Sequence, residues 1–159
     1  FKILRAAQPH IKRLFLEEKE NGVTNFRKVV NISSTSGMFG NAGQINYATA
    51  KAGVVGMAKT MAKEWGRYNV NVNAVGFGLI KTRLTDADAE KEESLIDIEG
   101  NKIKVGVNSA VFQSAKTMIP LGRPGTPQEA AGAIYMFCIP ESNYVTGQIL
   151  MCHGGGFGY

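Results

Sequence analysis

Tyr47 and Lys51 stand four residues apart in a segment, 45–66, whose apolar residues repeat with helical spacing. On a helix such a pair shares one face, about 40° apart around the axis and roughly 6 Å along it, which puts a cation beside a phenol. The ammonium favours the phenolate form, and burial of the ring opposes it. A tyrosine so placed is a candidate general acid or base. Ser34 lies upstream, just past the end of an apolar run, 28–33, that reads as a strand. Open α/β sheets bind ligands at the carboxyl ends of their strands, and a hydroxyl at that edge can hold a carbonyl oxygen beside the phenol. Taken singly, neither signal is specific. Tyr-x-x-x-Lys pairs usually lie on solvated faces, and Ser34 alone reads equally well as a loop serine.

The elements that must position these residues follow from periodicity. Apolar residues at Phe1, Leu4, Ala7, Ile11, Leu14 and Phe15 give a helix over about 1–19, with Pro9 expected to kink it and Asn21-Gly22 to end it. A glycine-rich connection through Gly37, Gly40 and Gly43 leads to the second helix, 45–66, with Ala50, Val54, Met57, Ala58, Met61 and Trp65 on its inner stripe. Asn and Val alternate over 69–75 and predict a second strand, followed by a turn at Gly76-Phe77-Gly78. Residues 82–119 are irregular, with a turn at Glu99-Gly100-Asn101 and a weakly helical part over 107–119, and read as an insertion or lid. Thr126-Pro127-Gln128-Glu129 has the form of a capping box that starts a third helix to about Cys138. The last strand is predicted over 145–151, ahead of a flexible tail at Gly154-Gly155-Gly156. Helices alternating with strands imply a parallel sheet covered on both faces. Three strands make a poor complete sheet, and with a start at Phe1 that lacks a helix cap they lead us to expect a missing amino-terminal half.

The run Asn31-Ile32-Ser33-Ser34, Gly37, Gly40, Asn41, Gly43, Gln44, Asn46, Tyr47 and Lys51 resembles the active-site segment of the short-chain dehydrogenases/reductases. It is most similar to their 3-oxoacyl-acyl-carrier-protein reductase branch. The likeness continues through Asn73-Ala74-Val75, the loop 121–127 and Thr146-Gly147-Gln148, and weakens over 86–115. It implies an α/β, Rossmann-like, doubly wound parallel sheet, with residues 1–159 as the carboxy-terminal part of one NAD(P)-binding domain and a lid at about 82–119. It implies a catalytic set of Ser34, Tyr47 and Lys51: Tyr47 as proton donor, Ser34 as the carbonyl-orienting group, and Lys51 as modulator of Tyr47 and ligand of the nicotinamide ribose. Tyr47, Lys51, Ile80 and Thr82 match cofactor-binding positions, and Ser34 and Gln44 the substrate side. For Gln44 a plain helix-start role is equally compatible. The cofactor implied is NADP or NAD. The family's glycine-rich phosphate turn has no counterpart in the chain, and its fourth catalytic residue, an asparagine, would fall a few residues before Phe1. These 159 residues alone are therefore expected to be inactive. The chain departs from the family at Phe77-Gly78, where Pro-Gly is usual, and at His153, where Asp is common; His153 is expected at the surface or an interface.

The implied function is an NAD(P)-dependent oxidoreductase that interconverts a ketone and a secondary alcohol, with 3-oxoacyl thioester reduction in fatty acid metabolism as the leading case. Other hydroxyacyl-CoA, steroid or sugar alcohol dehydrogenases are the runner-up, and a non-catalytic fragment or pseudo-enzyme is the reading from a different class. Partners implied are a small-molecule or acyl-thioester substrate and further copies of the chain as a tetramer or dimer, with Val55 and Ala62 on the second helix at that contact. Composition excludes other classes. With 44% hydrophobic and 19% charged residues the chain is too apolar for disorder, and no apolar run reaches the length of a membrane span. The net charge of +5 is segregated, basic over 1–28 and acidic over 86–99, without the basic stripe and interleaved aromatics that nucleic acid requires. Cys138 and Cys152 have no metal-ligand spacing and are too few for a disulfide framework, so no metal and a reducing, cytoplasmic setting are expected.

Overall fold

The computed structural model describes residues 1–82, 95–98, 101–104, 114 and 117–156. Helix α1, Lys2–Glu20, continues through Pro9 to its predicted end. There Asn21 Nδ2 donates to the Glu17 carbonyl and Gly22 turns the chain at φ 66°. Arg27 then forks onto Glu18 at 2.5 and 3.0 Å, which fastens the helix end to the start of β1, Arg27–Ser34.

β1 runs parallel to β2, Val70–Phe77, with Arg27 opposite Val70 and Ser34 opposite Phe77. β2 runs parallel to β5, Ile149–Cys152, with Phe77 opposite Cys152, and the sheet order is β1-β2-β5. One face packs on α3, Ile45–Trp65, and on α1: Ala58, Met61, Ala62 and Trp65 meet Val70, Val72 and Ala74, with Leu4 and Ile11 at the margin. The other face packs Val75, Val30 and Leu150 on Ala133 and Phe137, from and just after α4, Pro127–Tyr135. Helices on both faces of a parallel sheet make the fold doubly wound, as the element order predicts.

The Asn and Val alternation in β2 does not mark one wet face. β2 is the central strand and is buried on both sides, with Asn73 only 1% exposed. Its asparagines are tolerated because each amide is used at both ends. Asn73 Nδ2 donates to the Val145 carbonyl while its Oδ1 accepts from Gln148 N; Asn71 Nδ2 donates to the Asn143 carbonyl while its Oδ1 accepts from Lys28 Nζ. These bonds tie the central strand to the turn before β5. That turn occupies residues where the last strand was expected to begin. Lys28 also donates to Ser142 Oγ, and burial pushes its ammonium to a lower pKa than usual.

Further differences have local causes. β2 continues through Gly76 and Phe77, so the turn predicted there begins at Gly78. Ala50 is exposed, whereas Ala62, expected on an outer contact stripe, is 7% exposed in the core, where a side chain on Gly147 would meet it. The glycine tail is docked rather than loose: Leu121 N donates to the Gly154 carbonyl, and Gly154 and Gly155, both at positive φ, pack on Ile119 and Pro120, where a Cβ on Gly154 would lie 2.7 Å from the Ile119 side chain. α4 begins with the predicted capping box, Glu129 N donating to Thr126 Oγ1 and Thr126 N to Glu129. It ends at Tyr135, short of Cys138. Within 82–119, β3, Leu95–Ile98, pairs antiparallel with β4, Asn101–Lys104. Residues 99–100 and 107–113 of the predicted turn and helix lie outside the described residues, as does most of the predicted lid.

Candidate active site

Ser34 is the last residue of β1 rather than the first beyond it, and it caps a short helix, α2, Thr35–Phe39, in what the sequence suggests is only a glycine-rich connection. Its Oγ accepts from Ser36 N at 3.2 Å, and the residue is 8% exposed. A hydroxyl that accepts from the backbone on one side keeps its own hydrogen for donation on the other. The Ser34 hydrogen is therefore free for an oxygen at the carboxyl edge of the sheet.

α2 sits against the first half of α3. A Cβ on Gly37 would lie 2.6 Å from Lys51 Cβ and 2.7 Å from the Lys51 carbonyl carbon, so only glycine permits this approach. Ser33, facing α3, donates from Oγ to the Lys51 carbonyl at 2.8 Å. Lys51 in turn donates from Nζ to the Ile32 carbonyl at 3.1 Å. The lysine is thus held from both ends by β1. Its ammonium lies 5.6 Å from the centroid of the Tyr47 ring, as the helical spacing requires, and Tyr47 is 43% exposed. One backbone carbonyl uses one of three ammonium hydrogens, and the others remain for the phenol or a hydroxylated ligand.

The other predicted residues fall around this trio. Gln44 precedes α3, where its Oε1 accepts from Ser36 Oγ and from Asn41 Nδ2, each at 3.0 Å. Its oxygen is occupied by these two internal bonds. Ile80 lies beyond the carboxyl end of β2, bridged to Gly125. The neighbouring bonds, Lys81 N to the Gly125 carbonyl and Gly125 N to the Leu79 carbonyl, pin this loop to the chain ahead of α4. Thr82 follows, exposed. The structure brings Tyr47 and Lys51 into contact and Ser34 onto the same supporting strand. Ile80 and Thr82 follow at the same sheet edge. His153 is half-buried, its Nδ1 accepting from Gly155 N.

Three supports are not singled out by sequence reasoning: Ser33, Ser36 and the packing role of Gly37. The Ser33-Ser34 pair carries a signal in hindsight, since adjacent strand residues face opposite sides and only one of the two can face α3. Elsewhere, the Arg123 guanidinium, followed by the Thr126 N–H, pulls the Glu129 carboxyl down to about 2, and burial pushes the Cys152 thiol up. Among the described residues no cluster of His, Cys, Asp or Glu is suited to a metal, and no helix is long and apolar enough to cross a membrane.

A parallel sheet wound on both faces, with a Tyr and Lys pair and a serine toward its carboxyl edge, defines a Rossmann-type fold. A family model described as enoyl-(acyl carrier protein) reductase matches residues 11–156, and the chain belongs to the short-chain dehydrogenase/reductase family. It is 42% identical over 127 residues to the 3-oxoacyl-[acyl-carrier-protein] reductase of Thermotoga maritima, covering 80% of this chain and 44% of that protein. It is 38% identical over 130 residues to the enzyme of the same name from Aquifex aeolicus (82% and 45%), and 36% identical over 146 residues to that of Synechocystis (91% and 48%). The chain spans about half the length of these relatives. Among solved structures, 4-hydroxyisoleucine dehydrogenase complexed with NADH shares the fold at a TM-score of 0.64 and 22% identity, over 91% of this chain and 51% of that one.

Proposed function

We propose that the protein is an NAD(P)-dependent oxidoreductase that interconverts a ketone and a secondary alcohol, with 3-oxoacyl thioesters as its substrates. The observation that carries the reading is the lysine held by the Ile32 carbonyl beneath Tyr47, with a serine on the same strand that keeps a hydrogen to donate. The names of the most similar relatives support the acyl class.

When bound, the dihydronicotinamide supplies a hydride to the carbonyl carbon. Ser34 donates to the carbonyl oxygen and orients it. Tyr47 transfers its phenolic proton to that oxygen as negative charge develops there, and one hydride with one proton completes the alcohol. Lys51 stabilises the phenolate left behind and uses a remaining N–H on the ribose. Ile80 and Thr82 complete the nicotinamide side, and the Gln44 NH₂ meets the substrate.

In this reading residues 1–159 form part of one dinucleotide-binding domain and are inactive on their own. The protein works as a homodimer or homotetramer in the cytoplasm, in fatty acid metabolism. The test is a substrate panel with NADH and NADPH: 3-oxoacyl, enoyl and hydroxyacyl thioesters, steroids and sugar alcohols. The highest kcat/KM is expected for a 3-oxoacyl thioester. Preference for the enoyl thioester, the chemistry in the matching family description, contradicts the proposal.

A further inference from the structure

The loop between α2 and α3 is the most permissive part of the site. Gly40 and Gly43 both adopt positive φ, at 79° and 80°, and bracket Asn41 and Ala42. Glycines of this kind leave a loop many alternatives unless something else removes them. The backbone contributes two bonds, Gly40 N to the Ser36 carbonyl and Gln44 N to the Asn41 carbonyl. Side chains then close the loop. Gln44 Oε1 has two lone pairs, and both are filled, one by Ser36 Oγ from before the loop and one by Asn41 Nδ2 from within it.

The clasp joins two groups that must meet one substrate oxygen. On one side the N–H of Ser36 holds Ser34 Oγ. On the other, the Gln44 carbonyl accepts from Ala48 N at 2.7 Å and so opens the first turn of α3, the turn that carries Tyr47. We propose that Ser36 is a positioning residue: through its backbone it fixes Ser34, through its hydroxyl and Gln44 it fixes the turn bearing Tyr47, and it thereby sets the spacing of the two. The role of Ser34 and Tyr47 as partners at one oxygen rests on the proposed function; the clasp does not.

The test uses the protein as its own gene encodes it, with Ser36→Ala and the hydroxyl-retaining Ser36→Thr. Three quantities are measured: amide hydrogen exchange at Gly40 and Gln44, the NMR shift of the Tyr47 ring, and kinetics with a 3-oxoacyl thioester. In Ser36→Ala, exchange at both amides is expected to accelerate and the Tyr47 resonance to move. The value of kcat should fall by about tenfold or more with the cofactor KM unchanged, since small misplacements of reacting groups are costly. Ser36→Thr should recover all three. Wild-type exchange and ring shift in Ser36→Ala overturn the proposal, as does wild-type kcat with a loosened loop. A wild-type protein that reduces no ketone rejects the functional reading instead, and exchange and the Tyr47 shift then decide the clasp by themselves.

Discussion

In the proposed mechanism Lys51 does two jobs with one ammonium, and β1 leaves room for them by taking one of its hydrogens, at the Ile32 carbonyl. Lys51→Met leaves the aliphatic stem but removes every donor. A charge-assisted hydrogen bond contributes about 1.5–3 kcal/mol, so cofactor Kd, read by nucleotide fluorescence, should rise about tenfold or more, and turnover should fall with it. Unchanged cofactor affinity removes the ribose from the role of Lys51. Gly37 is a more indirect determinant. Adding one carbon there places it 2.6 Å from Lys51 Cβ and 2.7–2.8 Å from the Lys51 carbonyl carbon and the Ala52 nitrogen, and the latter two belong to a helix backbone and cannot swing aside. Gly37→Ala should cost about 1–3 kcal/mol of stability by overpacking and should lower activity by shifting α3 against β1. Gly40→Ala is the control for backbone strain without a clash, because nothing lies within 4 Å of its Cβ position. A thermal midpoint for Gly37→Ala equal to wild type contradicts the close approach.

Among the elements, α4 offers the sharpest pH test. Glu129 reaches back to Thr126 N, and Arg123 chelates its carboxylate at 2.6 and 2.8 Å. Its carboxyl is held at about 2 in the folded chain, below the ordinary 4.5, first by Arg123 and then by Thr126. A depressed carboxyl contributes stability that is complete above about 4.5 and is lost as pH falls toward 2. Glu129→Gln should therefore lower the thermal midpoint at pH 7, and the gap from wild type should narrow across that window. A gap that does not change with pH assigns the effect to packing. This capping box was readable in advance because it is local, four residues in a row. The strand and helix patterns that expose a period were equally legible, and so was the Tyr47 and Lys51 face. What escaped depends on partners far away in the chain. Ala62 is inside because Gly147 lies over it; the asparagines of β2 are inside because carbonyls at 143 and 145 meet them. The short helix α2 was hidden by its glycine, a poor helix former kept there by the approach to Lys51.

At the scale of the whole molecule the sheet has three described strands, and its central one carries the pairing on both sides. Ser34 and Phe77, opposite each other in the register, set the edge along which the site is built, with Ile80 beyond it. The exposed side of α3 and the exposed apolar residues of α1, Ile3, Leu14 and Leu16, fit the proposed assembly. Sedimentation at micromolar concentration should show a dimer or tetramer, and a monomer throughout contradicts it. In the proposed mechanism the proton comes from Tyr47, and one variant tests it. In the protein as its own gene encodes it, Tyr47→Phe removes only the phenolic oxygen of a side chain that is nearly half exposed, so folding should be retained. With a 3-oxoacyl thioester and a reduced nicotinamide cofactor, kcat should fall by about 10² or more, the contribution of a positioned general acid. Near-normal kcat in a folded Tyr47→Phe protein contradicts the assignment.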